Sequence, residues 1–236
     1  ITNMLRCIFI PGNAHGWKIM NLELANAARG IEAYAGGAGL SYLWFENLLI
    51  HGCKFGSNFK RTSGDQHNLQ IGILLPGDGL DKATIVSCVF RDNFVGMTTY
   101  MSADIKDCLF EHNEWTGLWY TASRGATISG NKFMHNCDRN VWCGVSASAM
   151  WHTTNGVVEY NEFGETQNVG AAPDGEDLDF EAGCNNVTVR YNLFHDSAGP
   201  ASMYYSGADN SSPNRDIFIH DNVFLTPAAN PPSPVG

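Results

Sequence analysis

One motif recurs along this 236-residue chain and limits its fold more than any other feature. It reads apolar, two variable positions, Asn or Cys, one variable position, Phe. Ile50-His-Gly-Cys53-Lys-Phe55 fits, as do the copies centred on Cys88, Cys108, Asn131, Asn161, Asn192 and Asn222. A looser copy, Ile19 to Leu24, precedes them. From Cys53 onward the steps are 35, 20, 23, 30, 31 and 30 residues. The segments are short, β-branched and alternating, as in Thr188-Val189-Arg190, and Gly, Asn and Asp punctuate them. That is strand and turn chemistry; helices would show apolar residues at three and four spacing. A unit of this length with two or three short strands reads as one coil of a β-solenoid.

Each coil is expected to hold a further strand after a Gly-containing turn. The candidates are 30–34, 71–75, 96–100, 117–121, 177–181 and 201–205. The coil between Asn131 and Asn161 is ambiguous: Trp142 or Cys143 lines its face, with Trp151 and His152 in the following loop. About eight coils at ~4.8 Å each give a rod of roughly 38 Å.

Composition narrows the partners. Charged residues are 16% of the chain, against roughly 25% in an average domain. The formal charge of −10 argues against nucleic acid, which wants a basic stripe. No apolar run reaches the ~18 residues of a membrane span. Seven Cys leave at least one thiol unpaired within the chain, and no CxxC pair suggests zinc. Cys88 with Cys108, and Cys137 with Cys143, can each form a disulfide or stay reduced. Residues 1–226 are expected to form one solenoid domain. Residues 227–236, rich in Pro, read as a tail or linker. The absence of an amphipathic helix before the first coil suits a fragment of a longer secreted protein, with end-to-end self-association as an option.

The turn residues Asn131, Asn161, Asn192 and Asn222 make the chain resemble the right-handed parallel β-helix proteins, the superfold of pectate lyases and polygalacturonases. There such asparagines form an inward ladder. An Asn stacked on its copy one coil away can satisfy both the next amide and the local backbone. The resemblance runs from about Gly16 to Phe224. It implies an all-β, single-stranded parallel β-helix, extracellular, acting on a polysaccharide through the outer face of one sheet. It implies no required cofactor, with Ca²⁺ as an option in the lyases.

On a strand, residues two apart share a face. With Leu178 and Phe180 turned inward, Asp177, Asp179 and Glu181 form an outward row, each ~6.6–7 Å from the next. Carboxylates so placed suit general acid and base. They equally suit a Ca²⁺ ion or a solvated face. The same register turns Trp119, Tyr100, Tyr34 and Tyr204 outward as platforms for sugar rings, unless loops cover them. No Lys or Arg is expected among these outward positions; Arg29 is placed near a strand end. Paired Asp in the resembling polygalacturonases makes Asp179 and Glu181 the best positional matches, though that family's strict motif is absent. His195, beside Asp196, is a second candidate. The sum is a glycoside hydrolase using Asp179 and Glu181 with Asp177 in support. The alternatives are a Ca²⁺-dependent lyase and a non-catalytic carbohydrate-binding, adhesin or filament module.

Overall fold

A computed structural model describes residues 4–12, 14–33, 40–53, 70–76, 82–121, 124–138, 146–167, 175–199, 201–205 and 212–225. Every described element is a strand, and every ladder is parallel. The first sheet has eight strands. They are β1 (Met4–Ile10), β3 (Ala27–Ala33), β5 (Ile71–Leu75), β8 (Val95–Thr99), β11 (Thr116–Thr121), β14 (Ser146–Trp151), β17 (Glu176–Phe180) and β20 (Met203–Tyr205). They pair in that order, one per coil.

A second, 14-stranded sheet forms the rest of each coil. One stack holds β2 (Lys18–Ala25), the long β4 (Leu43–His51), β6 (Lys82–Val86), β9 (Ser102–Lys106), β12 (Thr127–Ser129), β15 (Val157–Glu159), β18 (Asn185–Arg190) and β21 (Arg215–His220). The other holds the Phe strands β7 (Val89–Arg91), β10 (Leu109–Glu111), β13 (Lys132–Met134), β16 (Glu162–Gly164), β19 (Leu193–His195) and β22 (Val223–Leu225). The two stacks join at β4, which pairs with β6 through its first half and with β7 through its second.

The core follows from the repeat. Phe90, Phe110, Phe133, Phe163, Phe194 and Phe224 stack face to face with centroids 4.7–4.9 Å apart. That spacing is the interstrand distance of a sheet, so each ring sits one coil above the last. Fully burying one such ring contributes about 1.5–3 kcal/mol.

The expected Asn ladder is present. Asn131 donates from its backbone N and from Nδ2 to Asn161 Oδ1, at 2.9 Å each. Asn161 and Asn192 repeat this onto the next coil, ending on Asn222. Each Nδ2 also reaches a backbone carbonyl one coil back, such as Ile105 O from Asn131. The residue before each ladder position is left-handed: Ser87, Asp107, Gly130, Tyr160, Tyr191 and Asp221 all have φ between 53° and 68°. Cys88 and Cys108 hold the same row as free thiols, with Cys88 N donating to Cys108 Sγ. Cys137 is also a free thiol, and Cys143 lies outside the described residues.

The register corrects the first copy of the repeat. Ile50 pairs with Phe90 and Phe45 with Ile85, so Leu48 and Ile50 occupy the Asn and Phe positions. Cys53 belongs instead to a second ladder, three residues after the Phe position. Its amide donates to Asn93 Oδ1, Asn93 donates to Asn113, and Asn113 to Asn136. Thr166 and Ser197 continue that row.

Candidate functional site

The outer face of the first sheet gathers most of the expected residues. Leu178 and Phe180 are buried in the central core, as the alternation requires. Their neighbour Asp179 continues an outer row through adjacent coils: Glu32, Leu74, Thr98, Trp119, Ala149, Asp179 and Tyr204 are successive register partners. Two residues on, Thr121 pairs with Trp151, and Glu181 follows β17 beside it.

Two corrections concern this face. The first is Asp177. It falls in the row of Gly30, Gly72, Gly96, Gly117 and Ala147, because Ser146 pairs with Glu176 and Ser148 with Leu178. That row faces the core. A Cβ at Gly117 would touch Phe110 and Phe133, and one at Gly96 would meet Phe110 and Asn113. Asp177 is fully buried and does not share the outer face with Asp179. Strict alternation fails there, as it does at Gly96 and Met97 in the same register: 177 and 178 both turn inward. Asp177 Oδ1 accepts hydrogen bonds from Thr166 Oγ1 and Ser197 Oγ, the last two members of the second ladder. No partner meets Oδ2 among the described residues. Burial pushes the carboxyl up to about 6, against the pull of the two hydroxyls and of His195. Glu176, buried with Gly175 N–H on its Oε2, continues the outer row of Ile71 and Val95 in place of Asp177.

The second correction concerns the aromatics. Trp119 is only 8% exposed, inside an outer apolar cluster with Ile71, Leu74, Val95, Trp115, Cys137 and Ala149. Trp115 stacks on it at 5.2 Å, and Trp151 meets its edge at 6.2 Å. Tyr100 is half-buried against the same cluster. The strand Ser146–Trp151 is the first-sheet strand of its coil, so Trp151 is a strand residue and the exposed ring of the group, at 39%. Tyr34 lies outside the described residues, and Tyr204 is the backbone register partner of Asp179.

Two cations also stand on this face, against expectation. Arg6 and Arg29 are register partners inside β1 and β3, and both pair with Glu32. They lie toward the opposite end of the sheet from Asp179, six and five strands away. The face therefore runs from an Arg–Glu cluster through an aromatic middle to the carboxylates Glu176, Asp179 and Glu181.

His195 lies elsewhere, on β19 of the second sheet. Burial pulls its pKa down, and its contacts with Asp196 Oδ2 at 2.9 Å and Glu162 Oε1 at 3.3 Å outweigh that, so the net direction is up. Asp196 is one of a left-handed row with Asp92, His112, His135 and Glu165. The recurrence marks turn chemistry. Among the described residues no cluster of three or more His, Cys, Asp or Glu side chains is arranged to hold a metal ion.

The family model described as the right handed beta helix region matches residues 46–224. No curated protein matches the sequence. Tailspike protein 2 of an Escherichia coli bacteriophage is similar in structure over 95% of this chain and 35% of its own, with TM-score 0.53 and 10% identity. A glycoside hydrolase is similar over 89% of this chain and 39% of its own (TM-score 0.45, 13% identity). A lacto-N-biosidase from Eubacterium ramulus covers 84% and 51% (TM-score 0.47, 11% identity). At these identities the likeness is one of fold, and this chain spans about a third to a half of each of those structures.

Proposed function

This chain belongs to the right-handed β-helix family, and from that premise we propose that it is an extracellular polysaccharide-active protein that hydrolyses glycosidic bonds on the outer face of its first sheet. One observation carries the reading. An outer apolar cluster with Trp119 and Ala149 buried in it and Trp151 exposed upon it leads along the rod axis straight into Asp179 and Glu181 on the next coil. A polymer lying along the axis would set its apolar sugar faces on Trp151 and reach the carboxyls with the next linkage. Positions two apart on a strand are ~6.6–7 Å apart, within the ~6.5–9.5 Å separation that leaves room for a water between acid and base. In this scheme Asp179, the more buried, gives its proton to the glycosidic oxygen as the C–O bond breaks. Glu181, the more open, takes a proton from the water that attacks the anomeric carbon.

The reading is tested with a polysaccharide panel assayed for reducing ends and for the ultraviolet absorbance of unsaturated products, with and without Ca²⁺. Asp179→Asn and Glu181→Gln should each lower turnover ~10²–10⁴-fold while binding persists. Ca²⁺-dependent absorbance would make the protein a lyase. No turnover on any polymer would leave a binding module.

A further inference from the structure

The corner between β12, β15, β18 and the Phe strands carries a feature that the first-sheet face does not use. Tyr160 and Tyr191 sit on adjacent coils with their rings stacked, 5.2 Å apart and 17° from parallel. They are 60% and 44% exposed. Both occupy the left-handed turn position, at φ 57°. The other members of that row are Ser87, Asp107, Gly130 and Asp221, which are small or hydrogen-bond locally and tolerate the conformation. A bulky ring there is an uncommon and costly choice. Making it twice in succession, at the surface, is offset in part by the stacking of the two rings and by Arg190 over Tyr191; the exposed face of Tyr160 leaves room for a further gain.

The surroundings supply a form for that gain. A groove of about 440 Å³ runs along the row. Its wall is the tyrosine pair. Its floor starts with Lys132 and Glu162, paired at 2.7 Å, and continues to Leu193. One face of the Tyr160 ring is covered by Tyr191. On its other side the preceding coil offers Gly130, which has no side chain; the Asp107 carboxylate reaches toward it from one coil further back, and Gly130 and Tyr160 both line the groove. A flat apolar wall beside a fixed pair of opposite charges suits a ligand with an apolar face and a rim of hydroxyls. A planar hydrophobe would leave the ion pair unused, and a charged ligand would be repelled by one of its members.

We propose that this corner groove is a second, non-catalytic sugar-binding site, holding a hexose unit of a neutral polysaccharide face-down on Tyr160 with its hydroxyls on Lys132 and Glu162. It lies on the second sheet, away from Asp179, and it stands whether or not the first-sheet face hydrolyses anything. A site there would keep a polymer on the rod between encounters with the other face.

The experiment is calorimetric titration of the Trp151→Ala protein, which removes the exposed ring beside Glu181 on the first-sheet face, with cellohexaose, mannohexaose and chitohexaose. At least one should bind. Adding Tyr160→Gly should weaken that binding tenfold or more. It relieves the turn, so the melting temperature should stay within about 3 °C of the parent. Lys132→Ala should weaken binding without touching the rings. The proposal is overturned if none of the three probes binds Trp151→Ala protein, or if Tyr160→Gly leaves affinity within twofold. It is also overturned if the tyrosine change alters sedimentation instead, which would make the corner a contact between copies. None of these outcomes bears on turnover at Asp179, so the two readings fail separately.

Discussion

The two asparagine ladders end differently. On the first, the amide pattern begins at Asn131 and runs unbroken through Asn161 and Asn192 to Asn222. On the second, Asn93, Asn113 and Asn136 give way to Thr166 and Ser197. The change falls where Asp177 enters the neighbouring row, in a position that four other coils fill with glycine. An amide that donates along the rod is replaced there by two hydroxyls that donate sideways to a carboxyl. The periodic side of the core serves the fold. The side that breaks its period lies directly under Asp179 and Glu181, so the packing beneath the candidate site is specific to that coil.

The difference can be sharpened by substitution. Asn161→Ala strikes the regular ladder: it strands the amide of Asn131 and the carbonyl of Ile128, and takes from Asn131 Nδ2 one of its two acceptors. Each buried group left unmet costs about 1–3 kcal/mol, so a loss of roughly 3–5 kcal/mol is expected in urea titration after partial relaxation. A loss under 1 kcal/mol would mean that the ladder is ornament.

Asp177 should matter through pH. Its folded value is raised from 3.8 to about 6, so the native state prefers the protonated form. The associated stability is fully present below pH 4 and is lost as pH rises through 6. The swing is worth roughly 3 kcal/mol. Asp177→Asn should therefore gain on the parent between pH 4 and pH 7. Equal stability curves for the two proteins would show that the carboxyl is not strained by burial.

Thr166→Val is the mildest of the three. It removes one of two hydroxyls from Asp177 and should cost about 1 kcal/mol at pH 7, and less at pH 4, where the neutral carboxyl depends less on its donors. If Thr166→Val costs as much as Asn161→Ala, the two sides of the core are equally specified and the contrast fails.

Much of this was legible in the sequence, for a physical reason. A row survives in sequence when one residue type alone solves its problem on every coil, as Phe and Asn do at the inward positions. The early coils solve the same problem with Leu48 and Ile50, which match the shape without the letter, and the Cys53 copy was misaligned for that reason. The second ladder left a trace, Asn three residues after Phe110 and Phe133. Period-two alternation misplaces Asp177 because two successive positions of this sheet's strands, those of Gly96 and Met97, both face inward. Trp119 was read as open because burial under neighbouring coils depends on residues far away in sequence. Arg29 was missed on the outer face because the observed strand begins at Ala27, three residues before the expected start.

The direction of the first ladder has a mechanical consequence. Asn131, Asn161 and Asn192 each donate from Nδ2 to the Oδ1 of the coil that follows, so the Asn-to-Asn bonds along this edge all point one way. The rod is polar in the sense that a screw is handed. Peel off the coil of Asn222 and it is Asn192 that loses its acceptor; peel off the next and it is Asn161.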